Sequence, residues 1–303
     1  ATLDETALGV GPLVSTGTVL VDYGNDGPGT VVGTGNNTVT CDVAGGVLSS
    51  GGDAVTIDFD SGTNTYTGTA GGVIIFTLVV DPQTGDYTYS QVAPFDHSDT
   101  ANDNEPICLN FEFVVTDSDG DRELTNIVIN VLDDAPIVTS QVATSVDETD
   151  FTAGNLVTTG QFFTDPGEDV PASFAGNDTF NATGSVDNGV LTSNGTAVVT
   201  TYNPATFTYT GVAGGVTVFT MVIDPTDGSF VYTQIEPLDH ADPTDPNDML
   251  TLEFGMSVTD YDGDTESGTV TVNVFDDAPE VDDAYNTVDE TDLGPVVVTG
   301  NVT

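Results

Sequence analysis

Long segments of the chain return almost unchanged 143 residues later. TYTGTAGGV at 65–73 returns as TYTGVAGGV at 208–216, residues 76–97 return at 219–240, and VLDDAPIV at 131–138 returns as VFDDAPEV at 274–281. The tripeptide DET, at 4–6, returns at 147–149 and at 289–291. Self-similarity at a fixed period indicates a repeat array. The sequence therefore predicts one repeat at 1–135, a second at 136–278 and the start of a third at 279–303.

The pattern within each repeat is that of β-strands. Leu109, Phe111 and Phe113 alternate with Asn110 and Glu112, and the same period of two recurs at 252–258 and 270–274. DPQTGD at 81–86 and DPTDGS at 224–229 predict hairpin turns, and no segment has a convincing helical period. We therefore predict an all-β fold of tandem immunoglobulin-like (cadherin-like) antiparallel β-sandwiches, with seven to nine short strands in each repeat.

The charge of the chain is extremely one-sided. Asp and Glu number 49, Arg122 is the only base, and the formal net charge is -48. This balance excludes the basic surfaces that bind nucleic acid or anionic membranes. Because 38% of the residues are hydrophobic, a folded core is expected, with the carboxylates screened by bound Ca²⁺, by a salty medium or by both. No apolar run is long enough to predict a membrane span, and no secretion leader is visible at the start of the sequence.

Strand direction predicts where the acidic motifs meet. VTDSDGD at 115–121 and VTDYDGD at 258–264 each precede the last strand of a repeat, and each last strand leads to a DD pair. The 260–264 loop must then lie at the end of repeat 2 that meets the 133–134 linker. The 147–148 pair, the 237–248 loop and the 276–277 pair should gather at the other end, with the third repeat adding its own pair. The predicted metal ligands are Asp117, Asp119, Asp121, Asp133, Asp134, Asp147, Glu148, Asp239, Asp260, Asp262, Asp264, Asp276, Asp277, Asp289 and Glu290.

Crowded carboxylates favour Ca²⁺, which takes about six to eight oxygen ligands, over Mg²⁺, which demands stricter geometry. Gly120 is fourth in its acidic loop, whereas an EF-hand requires glycine sixth and glutamate twelfth, so this is not an EF-hand. The alternative is that the acidic loops are only solvated and suit a saline habitat.

Other residues give weaker indications. The sequence does not decide whether Cys41 and Cys108 form a disulfide, because the equivalent positions one repeat later are not cysteines. His97 and His240 are equivalent and favour a structural role in loop hydrogen bonding over metal ligation. We predict no enzyme, because no nucleophile or acid–base set is assembled in the sequence.

The motifs VDETD, VTDxDGD and VxVxDDAP together resemble the roughly 143-residue tandem repeat of giant RTX adhesins, which are bacterial surface and biofilm proteins exported by type I secretion. The resemblance covers essentially the whole chain, although the glycine-rich nonapeptides of the RTX class are absent from it. It implies a Ca²⁺-rigidified extender, at the extracellular surface of a bacterium, that holds a distal binding module away from the cell. The implied ligands are the aspartates at 117, 119 and 121, their equivalents at 260, 262 and 264, and the DD pairs.

Two alternatives stay open. A ligand-binding adhesin module is the main rival, although binding modules are usually singular and these repeats are near copies. The first repeat lacks most of its first strand, while 280–303 supply that of a third repeat. Cropping from a longer array explains this simply, and head-to-tail assembly into a filament is the bolder hypothesis. The expected partners are thus neighbouring repeats of the same chain and further copies of it.

Overall fold

The computed structural model describes residues 1–25, 27–41, 43, 46–98, 106–242, 244–245 and 247–277. Its described residues form two β-sandwiches in succession. The strands of repeat 1 are Thr2–Asp4 (β1), Leu13–Thr18 (β2), Thr30–Cys41 (β3), Ser49–Ser50 (β4), Asp53–Ala54 (β5), Thr56–Asp60 (β6), Thr65–Ala70 (β7), Val73–Val80 (β8), Asp86–Gln91 (β9), Pro106–Thr116 (β10) and Arg122–Leu132 (β11). A 3-10 helix, Glu5–Val10, follows β1.

Repeat 2 follows the same plan. Its strands are Ile137–Val138 (β12), Thr144–Asp147 (β13), Leu156–Gln161 (β14), Thr164–Asp165 (β15), Ser173–Gly184 (β16), Thr192–Ser193 (β17), Thr196–Asn203 (β18), Thr208–Ala213 (β19), Val216–Ile223 (β20), Ser229–Gln234 (β21), Met249–Thr259 (β22) and Thr265–Phe275 (β23). A 3-10 helix, Glu148–Ala153, follows β13. Among the described helices, none is long and apolar enough to span a bilayer.

Each sandwich consists of two facing sheets. In repeat 1 the sheets have the orders β1-β11-β10-β3 and β2-β9-β8-β7-β6, and in repeat 2 they are β13-β23-β22-β16 and β14-β21-β20-β19-β18-β17. The first strand of each four-stranded sheet pairs in parallel with the last strand of its repeat, and the other pairings are antiparallel. The all-β sandwich prediction is therefore confirmed.

The predicted inward faces are also confirmed. Leu109, Phe111 and Phe113 are fully buried, as are the equivalent residues of β22. The buried side chains of the two repeats form two separate clusters, one spanning 31–131 and the other 146–274. Each repeat therefore has its own hydrophobic core, which is the property that allows a repeat to fold as a unit.

Repeat 2 begins with two short strands that belong to different sheets. β12 pairs with β15, whereas β13 pairs in parallel with β23. Between them the chain changes partner, and Gln141 bridges to the backbone of Phe163. The described residues form eleven strands in repeat 1 and twelve in repeat 2. These counts exceed seven to nine because several strands have only two residues.

A disulfide joins Cys41 at the end of β3 to Cys108 in β10, with the two Cα atoms 5.6 Å apart. It links neighbouring strands of one sheet and closes a chain separation of 67 residues. Repeat 2 has no equivalent, so the cross-link is specific to repeat 1.

Removing this disulfide should destabilise repeat 1 alone. A Cys41→Ser/Cys108→Ser variant is expected to lose about 2–4 kcal/mol of stability, because the unfolded chain gains the freedom that the cross-link removed. In chelator, differential scanning calorimetry should show one transition moving to lower temperature and the other unchanged. Equal movement of both transitions would contradict the independence of the two cores.

Candidate metal centre between the repeats

The linker between the repeats carries two buried carboxylates. Asp133 and Asp134 lie between β11 and β12, and each is only 3% exposed. Parallel pairing of β1 with β11 sets Asp4 opposite the last residue of β11. The next residue, Glu5, is thereby placed beside the linker and is fully buried. The strand pairing of repeat 1 thus builds one side of the junction.

The loop between β22 and β23 brings three more carboxylates from repeat 2. Oδ1 of Asp260 accepts hydrogen bonds from the backbone N–H groups of Gly263 at 3.0 Å and Asp264 at 2.7 Å, which closes a tight turn. Gly263 has φ of 116°, a conformation that favours glycine. Asp262 reaches repeat 1, where its Oδ2 accepts a hydrogen bond from the backbone N–H of His97 at 2.8 Å. The loop therefore contacts the preceding repeat directly.

A third acidic segment, 166–170, completes the junction from repeat 2. The backbone N–H of Glu168 donates to Oδ2 of Asp134 at 2.6 Å, and the N–H of Tyr261 donates to the carbonyl of Asp169 at 2.9 Å. Asp169 is 3% exposed, and the side chain of Glu168 lies against Gly9 of repeat 1. This segment therefore connects the linker to both repeats.

The carboxylates form groups with the spacing of metal ligands. One oxygen each from Glu5, Asp133, Asp134 and Asp169 lies within 4.8 Å of the others, and the three aspartates of the 260–264 loop form a second such group. Electrostatic interactions of Asp133 with Asp262 and Asp264 join the two groups. The junction thus concentrates carboxylates from repeat 1, from the linker and from repeat 2.

Several of these oxygens are buried without a hydrogen bond. Within the described part of the chain no donor lies within hydrogen-bond distance of Asp133 Oδ2, Asp134 Oδ1, Asp169 Oδ2, Asp260 Oδ2 or Asp262 Oδ1, and Glu5 Oε2 has Nε2 of His97 3.6 Å away. A buried anion without a partner is costly, so its oxygens require a cation or a proton. The only basic side chain of the protein, Arg122, is exposed in the loop-to-strand turn of repeat 1. The donor set of these two groups, which is entirely oxygen, fits a hard divalent cation such as Ca²⁺.

The pKa values of these carboxyl groups respond to the same environment. Burial raises the pKa of Glu5 to about 7, opposed by hydrogen bonds and by His97. Burial is also the main cause that raises the pKa values of Asp133, Asp169 and Asp260, and neighbouring carboxylates raise them further. Because desolvation and repulsion both disfavour the anions, these carboxyl groups need a proton or a bound cation to neutralise them.

Residues 117–121 form the same turn at the outer end of repeat 1. Oδ1 of Asp117 accepts the N–H groups of Gly120 at 3.0 Å and Asp121 at 2.8 Å, and Asp117, Asp119 and Asp121 group together. Unlike the 260–264 group, this group is partly exposed. The two loops are therefore alike in conformation and differ in whether another repeat covers them.

The predicted ligands at the far end of repeat 2 do not form one group. Glu148 and Asp276 group with His240, while Asp277 is exposed. Asp147 caps the 3-10 helix by accepting the N–H of Thr149 at 3.0 Å. Asp239 lies in none of the described groups, and its Oδ2 accepts the N–H of Gly195 at 2.7 Å. Asp289 and Glu290 lie outside the described residues.

Sequence reasoning missed two junction residues, Glu5 and Asp169. Both had a signal in the repeat, because Glu5 is the equivalent of Glu148 and Asp169 is the equivalent of Asp26. Each residue has a single acidic neighbour, Asp4 or Glu168, and their importance becomes visible only when the fold buries them.

The fold and the junction define a tandem β-sandwich repeat protein with acidic contacts between repeats. The chain belongs to the family described as a domain of unknown function, DUF5801, whose model matches residues 1–130 and 143–273. No curated protein sequence matches the chain.

Solved structures with some similarity include two cadherins and a bacterial adhesin. Drosophila N-cadherin EC1-4 is 13% identical, with a TM-score of 0.24, and the match covers 80% of this chain and 51% of that chain. Mouse cadherin-23 EC22-24 is 13% identical, with a TM-score of 0.23 and coverage of 81% and 65%. The CupB6 tip adhesin from Pseudomonas aeruginosa is 10% identical, with a TM-score of 0.30 and coverage of 89% and 90%. The chain therefore spans about half the length of the N-cadherin structure.

Proposed function

We propose that this chain is a structural segment of an extracellular adhesin, in which Ca²⁺ at the repeat junction holds each repeat rigidly against the next. The observation that carries the proposal is the set of buried carboxylate oxygens without hydrogen-bond donors, contributed by both repeats and the linker. One cation would contact Glu5 of repeat 1, Asp133 and Asp134 of the linker, and Asp169 of repeat 2, and a second would be held by the aspartates of the 260–264 loop. Binding would therefore oppose any motion that separates the repeats.

The charge of the junction explains why the cation matters mechanically. Without it, carboxylates crowded within a few ångströms repel one another across the contact between the repeats. That repulsion would push the repeats apart or leave their angle variable. Bound Ca²⁺ would replace repulsion by attraction to ligands from both sides, and would stiffen a chain of such repeats into an extended spacer.

Two features support an extracellular setting. The Cys41–Cys108 disulfide is of the kind that persists in oxidising compartments. Extracellular calcium modules bind at roughly 10⁻⁴–10⁻³ M, so such a junction would fill outside the cell and stay empty in low-calcium cytosol. Together with the resemblance to giant RTX adhesins, this supports a bacterial surface location, export by type I secretion and a role as extender of a distal binding module.

Small-angle X-ray scattering tests the proposal directly. In millimolar Ca²⁺ the wild-type chain is expected to give the narrow, elongated distance distribution of a rod, and in chelator a broader and shorter one. Asp260→Asn keeps the oxygen that closes the turn but removes a junction carboxylate, so it should raise the Ca²⁺ concentration needed for stiffening by about tenfold or more.

Asp117→Asn is the matched control, because it makes the same change in the equivalent turn at the outer end of repeat 1. It should leave the calcium dependence of the junction unchanged. If the wild-type distribution is the same with calcium and with chelator, the proposed function is wrong. Equal effects of the two variants would also contradict it.

A further inference from the structure

The far end of repeat 2 carries a group of a different chemical kind, because it includes an imidazole. One ligand atom each from Glu148, His240 and Asp276 lies within 4.8 Å of the others. The side chain of His240 is 2% exposed, and Glu148 as a whole is 3% exposed. The group is therefore enclosed by the protein and is not merely a set of surface acids.

The ring of His240 is oriented by a carboxylate. Its Nδ1 lies 2.6 Å from Oδ1 of Asp248, which fixes the proton on Nδ1 when the ring is neutral. Asp248 is itself held, since its Oδ2 accepts hydrogen bonds from the hydroxyl of Ser185 and from the N–H of Asp242. The other ring nitrogen, Nε2, is buried and has no hydrogen-bond partner among the described residues. In repeat 1 the equivalent nitrogen, Nε2 of His97, lies 3.6 Å from Oε2 of Glu5, so by equivalence the lone pair of Nε2 is available to the group.

Glu148 is also held in place, by hydrogen bonds to one of its carboxylate oxygens. Its Oε1 accepts hydrogen bonds from the side-chain amide of Gln234 and from the backbone N–H of Leu238, the latter at 2.8 Å. Gln234 in turn accepts the hydroxyl of Tyr232 at 3.3 Å in the core. The carboxylate is therefore anchored to the sandwich, which is the arrangement that a preorganised ligand requires.

Repeat 1 contains the same group at equivalent positions. Glu5, His97 and Asp133 bring one ligand atom each within 4.8 Å, and Nε2 of His97 lies 3.6 Å from Oε2 of Glu5. Oε1 of Glu5 accepts from Gln91 and from the N–H of Phe95, as Glu148 does one repeat later. The combination of two carboxylates and one imidazole is therefore built twice by the same fold.

We propose that each of these groups binds a transition-metal dication of the Zn²⁺ class, at a site separate in chemistry from the oxygen-only calcium groups. Calcium is bound through oxygen, whereas imidazole nitrogen suits Zn²⁺, Co²⁺ and Ni²⁺. A histidine that binds metal through one nitrogen commonly donates the other N–H to a carboxylate, as His240 does to Asp248. Three protein ligands leave a coordination position for water or for a ligand from an adjoining repeat.

Among the described residues, Glu148, His240 and Asp276 belong to no oxygen-only group. In repeat 1, by contrast, Glu5 and Asp133 belong to both kinds of group. Zinc should therefore compete with calcium for ligands at the His97 group, but not for any ligand described at the His240 group.

Zinc titration of the whole chain in excess Ca²⁺ tests the proposal, because excess calcium suppresses weak zinc binding to exposed carboxylates. The chain has only two histidines, so ¹⁵N nuclear magnetic resonance of the imidazoles resolves each site. Near-stoichiometric Zn²⁺ is expected to shift the Nε2 resonance of His240 and to leave its Nδ1–H in place. His240→Gln should abolish the corresponding heat in calorimetry and leave the His97 signal unchanged.

Asp248→Asn should weaken zinc affinity at His240 by about 10–100-fold, as expected for a residue that orients a ligand. Asp58→Asn, an exposed change of the same charge on β6, should leave both signals unchanged. Zinc that leaves both imidazoles unshifted, or zinc heats that are identical in His240→Gln and wild type, would overturn the proposal. Imidazoles that stay protonated at neutral pH when Zn²⁺ is added would also overturn it, because the groups would then be ion pairs and not metal sites. The calcium response of the wild type in zinc-free solution is read separately, so failure of one site is distinguishable from failure of the other.

Discussion

Asp133→Asn is expected to change the stability of the protein in opposite directions with and without calcium. In chelator the variant should be more stable than wild type by about 1–3 kcal/mol, because it removes a buried, unpartnered carboxylate among other carboxylates. In saturating calcium it should be less stable by about 2–3 kcal/mol, close to the contribution of an ion present at about 100 times its dissociation constant. Chemical denaturation in each solution measures both differences.

Asparagine has nearly the same shape as aspartate, so a stability difference that changes sign with calcium can be attributed to the lost charge. Oδ1 of Asp133 accepts the N–H of Asp134 at 2.9 Å, and the carbonyl oxygen of asparagine can accept the same bond. The new amide could also donate to Asp262 or Asp264, which repel the native carboxylate. Asp58→Asn controls for net charge and should have a small effect of the same size in both solutions. Destabilisation by Asp133→Asn in chelator would mean that the carboxylate has a structural partner other than a metal ion.

Strand parity and the repeat period were sufficient to predict much of the junction. The 143-residue offset located the two DD pairs and both acidic loops, and the antiparallel pairing of β22 with β23 places Asp260 at the end that meets the linker. The buried face of β10 followed from alternation alone, because a strand with one face in the core repeats every second residue. These features depend on the local residue pattern and on the direction of each strand, and both can be derived from the sequence.

The remaining features depend on contacts that have no local signature. Glu5 is important because β1 pairs in parallel with β11 and carries it beside Asp133, and no spacing rule encodes that pairing. Asp169 lies in a segment that matches none of the repeated acidic motifs, and it becomes a junction residue only when the 166–170 loop packs on the linker. The imidazole of His240 was predicted to serve loop hydrogen bonding, and it does bond Asp248, but the ring also groups with the carboxylates of Glu148 and Asp276, which come from distant parts of the repeat.

Phe254→Ala is expected to destabilise repeat 2 by about 3–5 kcal/mol, since truncating a fully buried aromatic side chain loses apolar burial and leaves a cavity. The ring of Phe254 lies 5.1 Å from that of Phe180 and 5.4 Å from that of Tyr209, between centroids, so neighbouring rings lose contacts as well. In chelator, the calorimetric transition of repeat 1 should stay where it is in wild type, because the two cores share no buried residue. The effect of reductant identifies that transition, since only repeat 1 has the disulfide.

Calcium should couple the two transitions and thereby connect the core of repeat 2 to the stability of repeat 1. When Phe254→Ala unfolds repeat 2 early, the junction loses Asp169 and Asp260, and repeat 1 should then melt at its chelator temperature even in calcium. Phe111→Ala, the equivalent change in repeat 1, should give the mirror result, with repeat 2 losing its calcium-dependent increment. If Phe254→Ala lowers both transitions in chelator, the repeats are one cooperative unit without the ion. If it leaves repeat 1 fully calcium-stabilised, the cation does not bridge the repeats.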